Sequence, residues 1–413
     1  MNAKKDLAVE FDHHSPDFNR DPVPDLAALR KKCPLGYTES HDGYWVATTY
    51  DNARRVLSEP ENFTVERSAD GLRGGKLIPS APHAPLILPG ALDGKPHDRL
   101  RDPLRRYFLR PYVEKRMADT VRGIVRDLIA GLRTREEFDF AAEFSFELTV
   151  RTIFHFVGLD NDIADKAEFI RMLEDAFAID PEAGSDRDSV AEVTSSRYLE
   201  AEALVRRVVE TRKAADDPGD DLIGIMVAAE PALAVDEIVS LTLSLVLGGV
   251  RTTAATLENI VWHLDADREL RRELAADRGR IPRVVDELVR YYPATPVVAR
   301  TAVRDVELDG VPIKEGDRIA AVIPAANLDE DRFPCAERID PDRRDGPPLT
   351  FGAGIHYCMG VWLAKMELRL AIEGLLDNMP GYTVDREKSR RFEKLGVNNG
   401  WARLVVHPGP ATR

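Results

Sequence analysis

Cys358 stands in the run Phe351-Gly352-Ala353-Gly354-Ile355-His356-Tyr357-Cys358-Met359-Gly360, just ahead of a helical-looking run, Val361 to Leu370. Three glycines within nine residues, Gly352, Gly354 and Gly360, let the backbone turn tightly and come close to a flat ligand. The cysteine arrives where amide N–H groups and the macrodipole of the coming helix favour thiolate over thiol. A lone cysteine is ordinarily an inert buried side chain. Set in this loop, it reads instead as a soft, anionic metal ligand.

Four further groups have types and spacings that bear on chemistry. Glu287 and Arg290, at i and i+3, are neighbours on one helix face, and taken alone form an ordinary surface ion pair. His97 and Arg101, at i and i+4, share one side of a helix and taken alone are solvated. Arg300 follows the apolar turn Thr295-Pro296-Val297-Val298. Gly248 and Gly249 interrupt an apolar helix, Ile238 to Leu264, that continues Val250-Arg251-Thr252-Thr253. Each glycine costs a helix about 1 kcal/mol relative to alanine, so something must approach the backbone there; helix packing is the plain alternative.

The pattern F-G-x-G-x-H-x-C-x-G resembles the haem-ligand loop of the cytochrome P450 family, with every fixed position filled. Glu287-Leu288-Val289-Arg290 resembles that family's E-x-x-R helix, with Arg343 as third partner. The resemblance runs in the family's motif order from about residue 15 to about residue 405. It implies a mainly α fold with small β-sheets in one large domain, spanning 1–413 with 1–24 as an extended N-terminal arm. It implies Cys358 as the iron ligand of a b-type haem (heme b, iron protoporphyrin IX), with Phe351, Gly352 and Gly360 shaping its loop. His97, Arg101, Arg300 and His356 become partners of the haem carboxylates. Gly249 becomes the point where the distal helix leaves room for O2, and Thr252 the hydroxyl that hydrogen-bonds it. Asn327-Leu328-Asp329-Glu330-Asp331-Arg332-Phe333-Pro334 resembles the family's N-R-D-P-x-x-F segment loosely, since Leu328, Glu330 and Ile339 replace the usual Arg, Pro and Phe. The activity implied is insertion of one oxygen atom from O2 into a C–H or C=C bond, using two electrons and two protons.

Arg251 departs from the pattern where the family has Asp or Glu, an acid credited with proton delivery. Arginine does not relay protons readily, because its pKa lies above about 12. Three explanations stand open. Arg251 pairs with a carboxylate of the acidic stretch Glu168, Glu174, Asp175, Asp180, Glu182, leaving proton transfer to Thr252 and water. Or it grips a substrate carboxylate, as guanidinium does well. Or the chemistry is other than hydroxylation: peroxide-driven, nitrating, reducing or coupling.

Around these groups the chain reads as mostly helical from Asp98 to Leu264, with breaks near Gly158, Pro181–Gly184 and Asp216–Asp220. Asp25 to Lys32 reads as a short helix, Tyr44 to Tyr50 as a strand, and Val306 to Ile323 as short strands about the Asp309-Gly310 turn. Residues 70–96 hold five prolines and five glycines among apolar patches, a structured loop and not a linker. The 77–88 loop, Phe169 to Phe177, Val246, Val250, Val297, Val298 and Leu395 to Val397 are expected to wall an apolar pocket, with Thr295 and Asn398 as polar candidates. A hydrophobic small molecule of the secondary-metabolite kind suits such a wall.

The hydrophobic share of 44% supports a sizeable core, and a net charge of −14 argues against general nucleic-acid binding. Cys33, Cys335 and Cys358 are too few for a disulfide framework. A start without an apolar leader and no run of about 18 apolar residues fit a cytoplasmic protein with no membrane anchor. The chain carries no flavin or nicotinamide fingerprint, so electrons are expected from a ferredoxin and its ferredoxin reductase. Arg99, Arg105, Arg106, Arg110, Lys365 and Arg369 would form the docking patch.

Overall fold

The computed structural model describes residues 3–409 apart from 16–17, 19–21, 72, 81–83, 176–186 and 393–398. Helices dominate and the sheets are small, as expected. The central element is a 32-residue helix, Val235–Ala266, whose apolar residues run nearly all round it. Such a helix must be buried on most sides. It packs on Phe146–Val157, Arg187–Ala214 and Val361–Asn378. By length and composition this one helix could cross a membrane, contrary to the expectation of no such run, but 56% of its apolar window is buried inside the protein.

Small residues set how closely helices cross. A Cβ on Gly374 would lie 2.5 Å from Val125 Cγ1, so the helix after Cys358 nests against Arg110–Leu132 only because the side chain is missing. The main apolar core is built from these helices. A second cluster lies under the largest sheet.

That sheet orders its strands as Leu35–Thr38, Tyr44–Ala47, Arg318–Val322, Val297–Ala302 and Phe63–Thr64. Trp45 pairs parallel with Ile319, while Arg300 pairs antiparallel with the same residue. The hairpin Val306–Leu308 and Val311–Ile313 turns at Asp309 (φ 54°) and Gly310 (φ 77°), the left-handed pair that a tight hairpin turn demands. Gly158 (φ 93°) caps Phe146–Val157, and the chain breaks again between Ala214 and Leu222. The Pro181–Gly184 break lies outside the described residues.

The N-terminal segment is less extended than read from sequence. Ala3–Asp6 forms a helical turn, and the helix placed at Asp25 begins at Pro22. The intervening arm is tied down: Val9 N donates to Tyr37 O at 2.8 Å, and the His14 ring meets Ile78 O at 2.7 Å.

Candidate active site

The cysteine loop closes on itself. Cys358 N–H donates to Phe351 O at 2.8 Å, and Gly352 (φ 76°) and Gly354 (φ 67°) take left-handed conformations closed to most side chains. Gly354 also abuts Ser58, whose Cα would stand 2.7 Å from an added Cβ. Burial pushes the Cys358 thiol up; the backbone N–H of Gly360 and the charge of Arg101 pull it back only in part. Against that burial, a metal cation facing the sulfur is what would deprotonate it. Cys358 keeps exposed surface although burial raises its thiol pKa, so it faces a hollow of the fold.

Behind the loop the Glu287–Arg290 pair is no surface bridge. Arg290 and Glu287 side chains are 2% and 4% exposed, with contacts of 2.8 and 2.9 Å. Arg343 Nε completes the triad on Glu287 at 3.1 Å. Arg290 also donates to the carbonyls of Asn327 and Ala336, each at 2.8 Å. Asn327 links this knot to the ligand loop. Its amide donates to Thr350 Oγ1 at 2.8 Å, and its carbonyl oxygen accepts from Leu349 N at 2.7 Å. The loosely matching segment thus keeps its working residue, Asn327.

The four expected carboxylate partners gather, together with an acid not singled out from sequence. His97 is 1% exposed, its ring 4.8 Å from that of His356, and its Nε2 has no hydrogen-bond partner among the described residues. His356 Nε2 meets Asp93 Oδ1 at 2.7 Å. Asp93 also accepts from Thr64 and from Val65 N, and these bonds hold it below the usual carboxylate range against its burial. Arg101 donates to Tyr357 O. Arg300 is buried, donates to the adjacent Ala299 O at 2.8 Å, and is pushed down by burial to about 10. Cations and donors exceed acids here, which is the environment that two buried carboxylates require. Asp93 sits just before a helix start, where Asp reads as a cap; its partners come from the cysteine loop (His356) and from Thr64 and Val65 at the edge of the sheet.

On the distal helix the two glycines divide the roles. A Cβ on Gly249 would lie 2.9 Å from Ile153 Cδ1, so Gly249 serves helix packing. Gly248 faces open space, and its carbonyl accepts from Thr252 Oγ1 at 2.7 Å. The open stripe is therefore Ser244, Leu245, Gly248 and Thr252, at one-turn spacing. Val246 and Val250, expected in the pocket wall, point away and are 0% and 1% exposed in the main core. Counting back in fours from Thr252 would have found Gly248 and Ser244.

Arg251 has left the site. Its Nη2 donates to Glu174 Oε2 at 3.0 Å, its Nε donates to the other oxygen, and its guanidinium lies 4.5 Å from the centre of the Phe146 ring. The fork is filled by protein, so it does not grip a substrate carboxylate. Asp180 and Glu182 lie outside the described residues.

The rest of the wall is mixed. Adjacent strand residues face opposite ways, so Val297 joins a cluster with Ile78 while Val298 packs towards the other face. They do not wall the same side. Phe169 is 1% exposed in the core. Thr295 is partly exposed just before the strand. Phe177, Leu395, Val397 and Asn398 lie outside the described residues. The end of the 77–88 loop and the residue before it are held: Leu88 N donates to Ser240 Oγ at 3.0 Å, and Ala299 N to Lys76 O at 2.9 Å; residues 81–83 lie outside the described residues.

A thiol enclosed at a hollow, a ring nitrogen without a partner, and clustered cations match a porphyrin iron with two carboxylates. The residues present fit that group. Comparison with known proteins agrees. The cytochrome P450 family model matches residues 92–395. Erythromycin C-12 hydroxylase of Saccharopolyspora erythraea is 31% identical over 398 residues, 94% of each chain. Mycinamicin IV hydroxylase/epoxidase of Micromonospora griseorubida is 32% identical over 351 residues, 82% of each chain. The solved structure of open P450 EryK from S. erythraea superposes with a TM-score of 0.82 at 30% identity, covering 95% of this chain and 96% of that one.

Proposed function

The chain belongs to the cytochrome P450 family, and on that footing we propose that it hydroxylates or epoxidises a hydrophobic secondary metabolite, using electrons from a ferredoxin system. The observation that carries this is the Cys358 loop: a sulfur at an internal hollow, with a backbone N–H from Gly360 beside it and a surplus of cationic donors near by. Cys358 is the proposed ligand of haem b, and His97, Arg101, Arg300 and His356 are the proposed partners of its carboxylates. Bound haem supplies the activation of O2, with thiolate ligation favouring O–O cleavage.

The chain's own groups do the rest. Thr252 presents a hydroxyl on the open stripe, with its proton resting on the Gly248 carbonyl. Arg251, held by Glu174, stabilises the helix pair over the site and moves no proton. Water exclusion falls to the described residues of the 77–88 loop, held at Leu88 by Ser240. The relatives' names tie two of them to erythromycin and mycinamicin IV; by that likeness the substrate here is of the large hydrophobic natural-product class. The pairing of Arg251 disfavours peroxide-driven chemistry anchored by an arginine.

The test has two arms. The reduced, carbon monoxide-treated protein is expected to show a strongly red-shifted Soret band, lost in Cys358→Ser. Turnover under labelled O2 is expected to place one labelled atom in the product; unlabelled product would overturn the oxygenase reading.

A further inference from the structure

One more cation stands at this site without an acid. The Lys76 carbonyl accepts from Ala299 N at 2.9 Å, which roots the residue beside the strand that carries Arg300. Its ammonium reaches across to the next turn, where a Cβ on Gly90 would lie 3.7 Å from Nζ. Lys76 keeps exposed surface although burial lowers its pKa, so it faces a hollow of the fold. Leu77, Ala84 and Ile87 wall that hollow, Arg67 shares it, and no carboxylate lines it among the described residues. Lys76 makes no side-chain hydrogen bond or ion pair among those residues. Burial lowers its pKa, and the like charge of Arg300 adds to the cost. Asp93, the acid close to Arg300 and His356, is already held by His356, Thr64 and Val65.

The charges therefore do not balance without a further anion. The two haem carboxylates have four donors proposed above, and Lys76 is surplus to them. Keeping a partly desolvated lysine near an arginine, with no acid, is costly unless something binds it. Apart from Lys76 and Arg67 the side chains lining the hollow are apolar, so the missing anion belongs to a mostly hydrophobic molecule. Arg251, the other cation considered for this task, is occupied by Glu174.

We propose that Lys76 is a specificity-determining residue, and that the substrate carries a carboxylate which seats on its ammonium while the apolar body lies towards the Thr252 stripe. The proposal rests on the monooxygenase reading and deepens it by naming the substrate's polar handle.

The test is titration of the ferric holoenzyme, followed by the Soret shift, with matched pairs of acid and methyl ester: dodecanoic, abietic and deoxycholic. At least one acid is expected to bind about tenfold more tightly than its ester, in line with a charge-assisted contact. Lys76→Met should erase that preference and leave ester affinity unchanged, while Lys76→Arg should keep it. Lys76→Gln serves if the Met variant folds poorly, and the wild-type comparison needs no variant. Three results would overturn the idea: no acid in the panel binds, esters bind as well as acids, or Lys76→Met keeps the preference. Loss of haem in Lys76→Met and Lys76→Gln alike would assign the lysine to a haem carboxylate instead. The carbon monoxide band of the wild type reports separately on the haem-thiolate reading, so the two failures are distinguishable.

Discussion

Arg251 and Glu174 meet with roughly a third of each side chain exposed, between the long central helix and Lys166–Asp175. The position ordinarily holds an acid, so the sign of the charge is inverted here while the link to the neighbouring helix is provided by Glu174. Partial exposure limits the pair to about 0.5–1 kcal/mol, and the Phe146 ring adds a cation–π contact. A double-mutant cycle reads the link directly. Arg251→Glu sets two carboxylates against each other, and Glu174→Arg sets two guanidinium groups together; each should lower the melting temperature and the product formed per reducing equivalent. The swapped double variant should recover most of both losses. Simply additive losses would show that the pair carries no coupling.

At the scale of elements, Glu258 ties the central helix to its surroundings. It accepts from Ser145 Oγ at 2.7 Å and from Trp401 N at 2.9 Å, joining the segment before Phe146–Val157 and the strand Trp401–Arg403 to one turn of helix. Burial pushes its carboxyl up to about 7, outweighing those two bonds and the charge of Arg251. The folded protein thus holds this proton more tightly than the unfolded chain does. The stability gained is complete below the unfolded carboxyl pKa, near 4.3, and is lost as pH rises through about 7. Glu258→Gln keeps both contacts without titrating: its amide oxygen accepts from Trp401 N, and its amide nitrogen donates to Ser145 Oγ, whose own hydroxyl donates to Ala141 O. Relative to wild type, its melting temperature should climb between pH 5 and pH 8, by an amount worth about 2–3 kcal/mol. A constant difference across that range would assign the raised value elsewhere. The same helix shows what was legible in the sequence. Its existence, its glycine pair and Thr252 were readable from periodicity and motif. Which face each glycine took was not, because Ile153, the side chain that Gly249 admits, lies a hundred residues away. Val246 and Val250 were misplaced for the same reason: an apolar residue on a helix that is apolar all round does not declare which side it faces. The Glu287–Arg290–Arg343 triad was legible as a motif, whereas Asn327 and Thr350, which join it to the ligand loop, bond to each other and to the carbonyls of Arg290 and Val289 across long sequence separations that leave no spacing to read.

Over the whole molecule the net charge is −14, yet the surface near the cysteine loop is basic and partly apolar. Of the six cations read as a docking patch, three are paired: Arg99 with Glu237, Lys365 with Asp286, and Arg369 with Glu114 and Glu373. Arg106 and Arg110 lie over Tyr107 and Trp362, and Arg105 keeps only a loose 3.7 Å contact to Asp102. Around them Leu109, Tyr357 and Trp362 remain 52%, 39% and 37% exposed. An apolar centre rimmed by arginines suits an acidic electron donor, since the rim steers the encounter and the centre supplies contact. Tyr357 adjoins Cys358, so a donor seated there sits close to the proposed iron ligand. The attraction acts over about 10 Å at 0.1 M salt and about 3 Å at 1 M. The bimolecular rate of reduction by ferredoxin should therefore fall steeply between those ionic strengths. Arg105→Glu combined with Arg110→Glu should lower the low-salt rate towards the high-salt value while leaving the carbon monoxide spectrum unchanged. A rate indifferent to salt, or a double variant reduced as fast as wild type, would move the electron-entry site to another face of the protein.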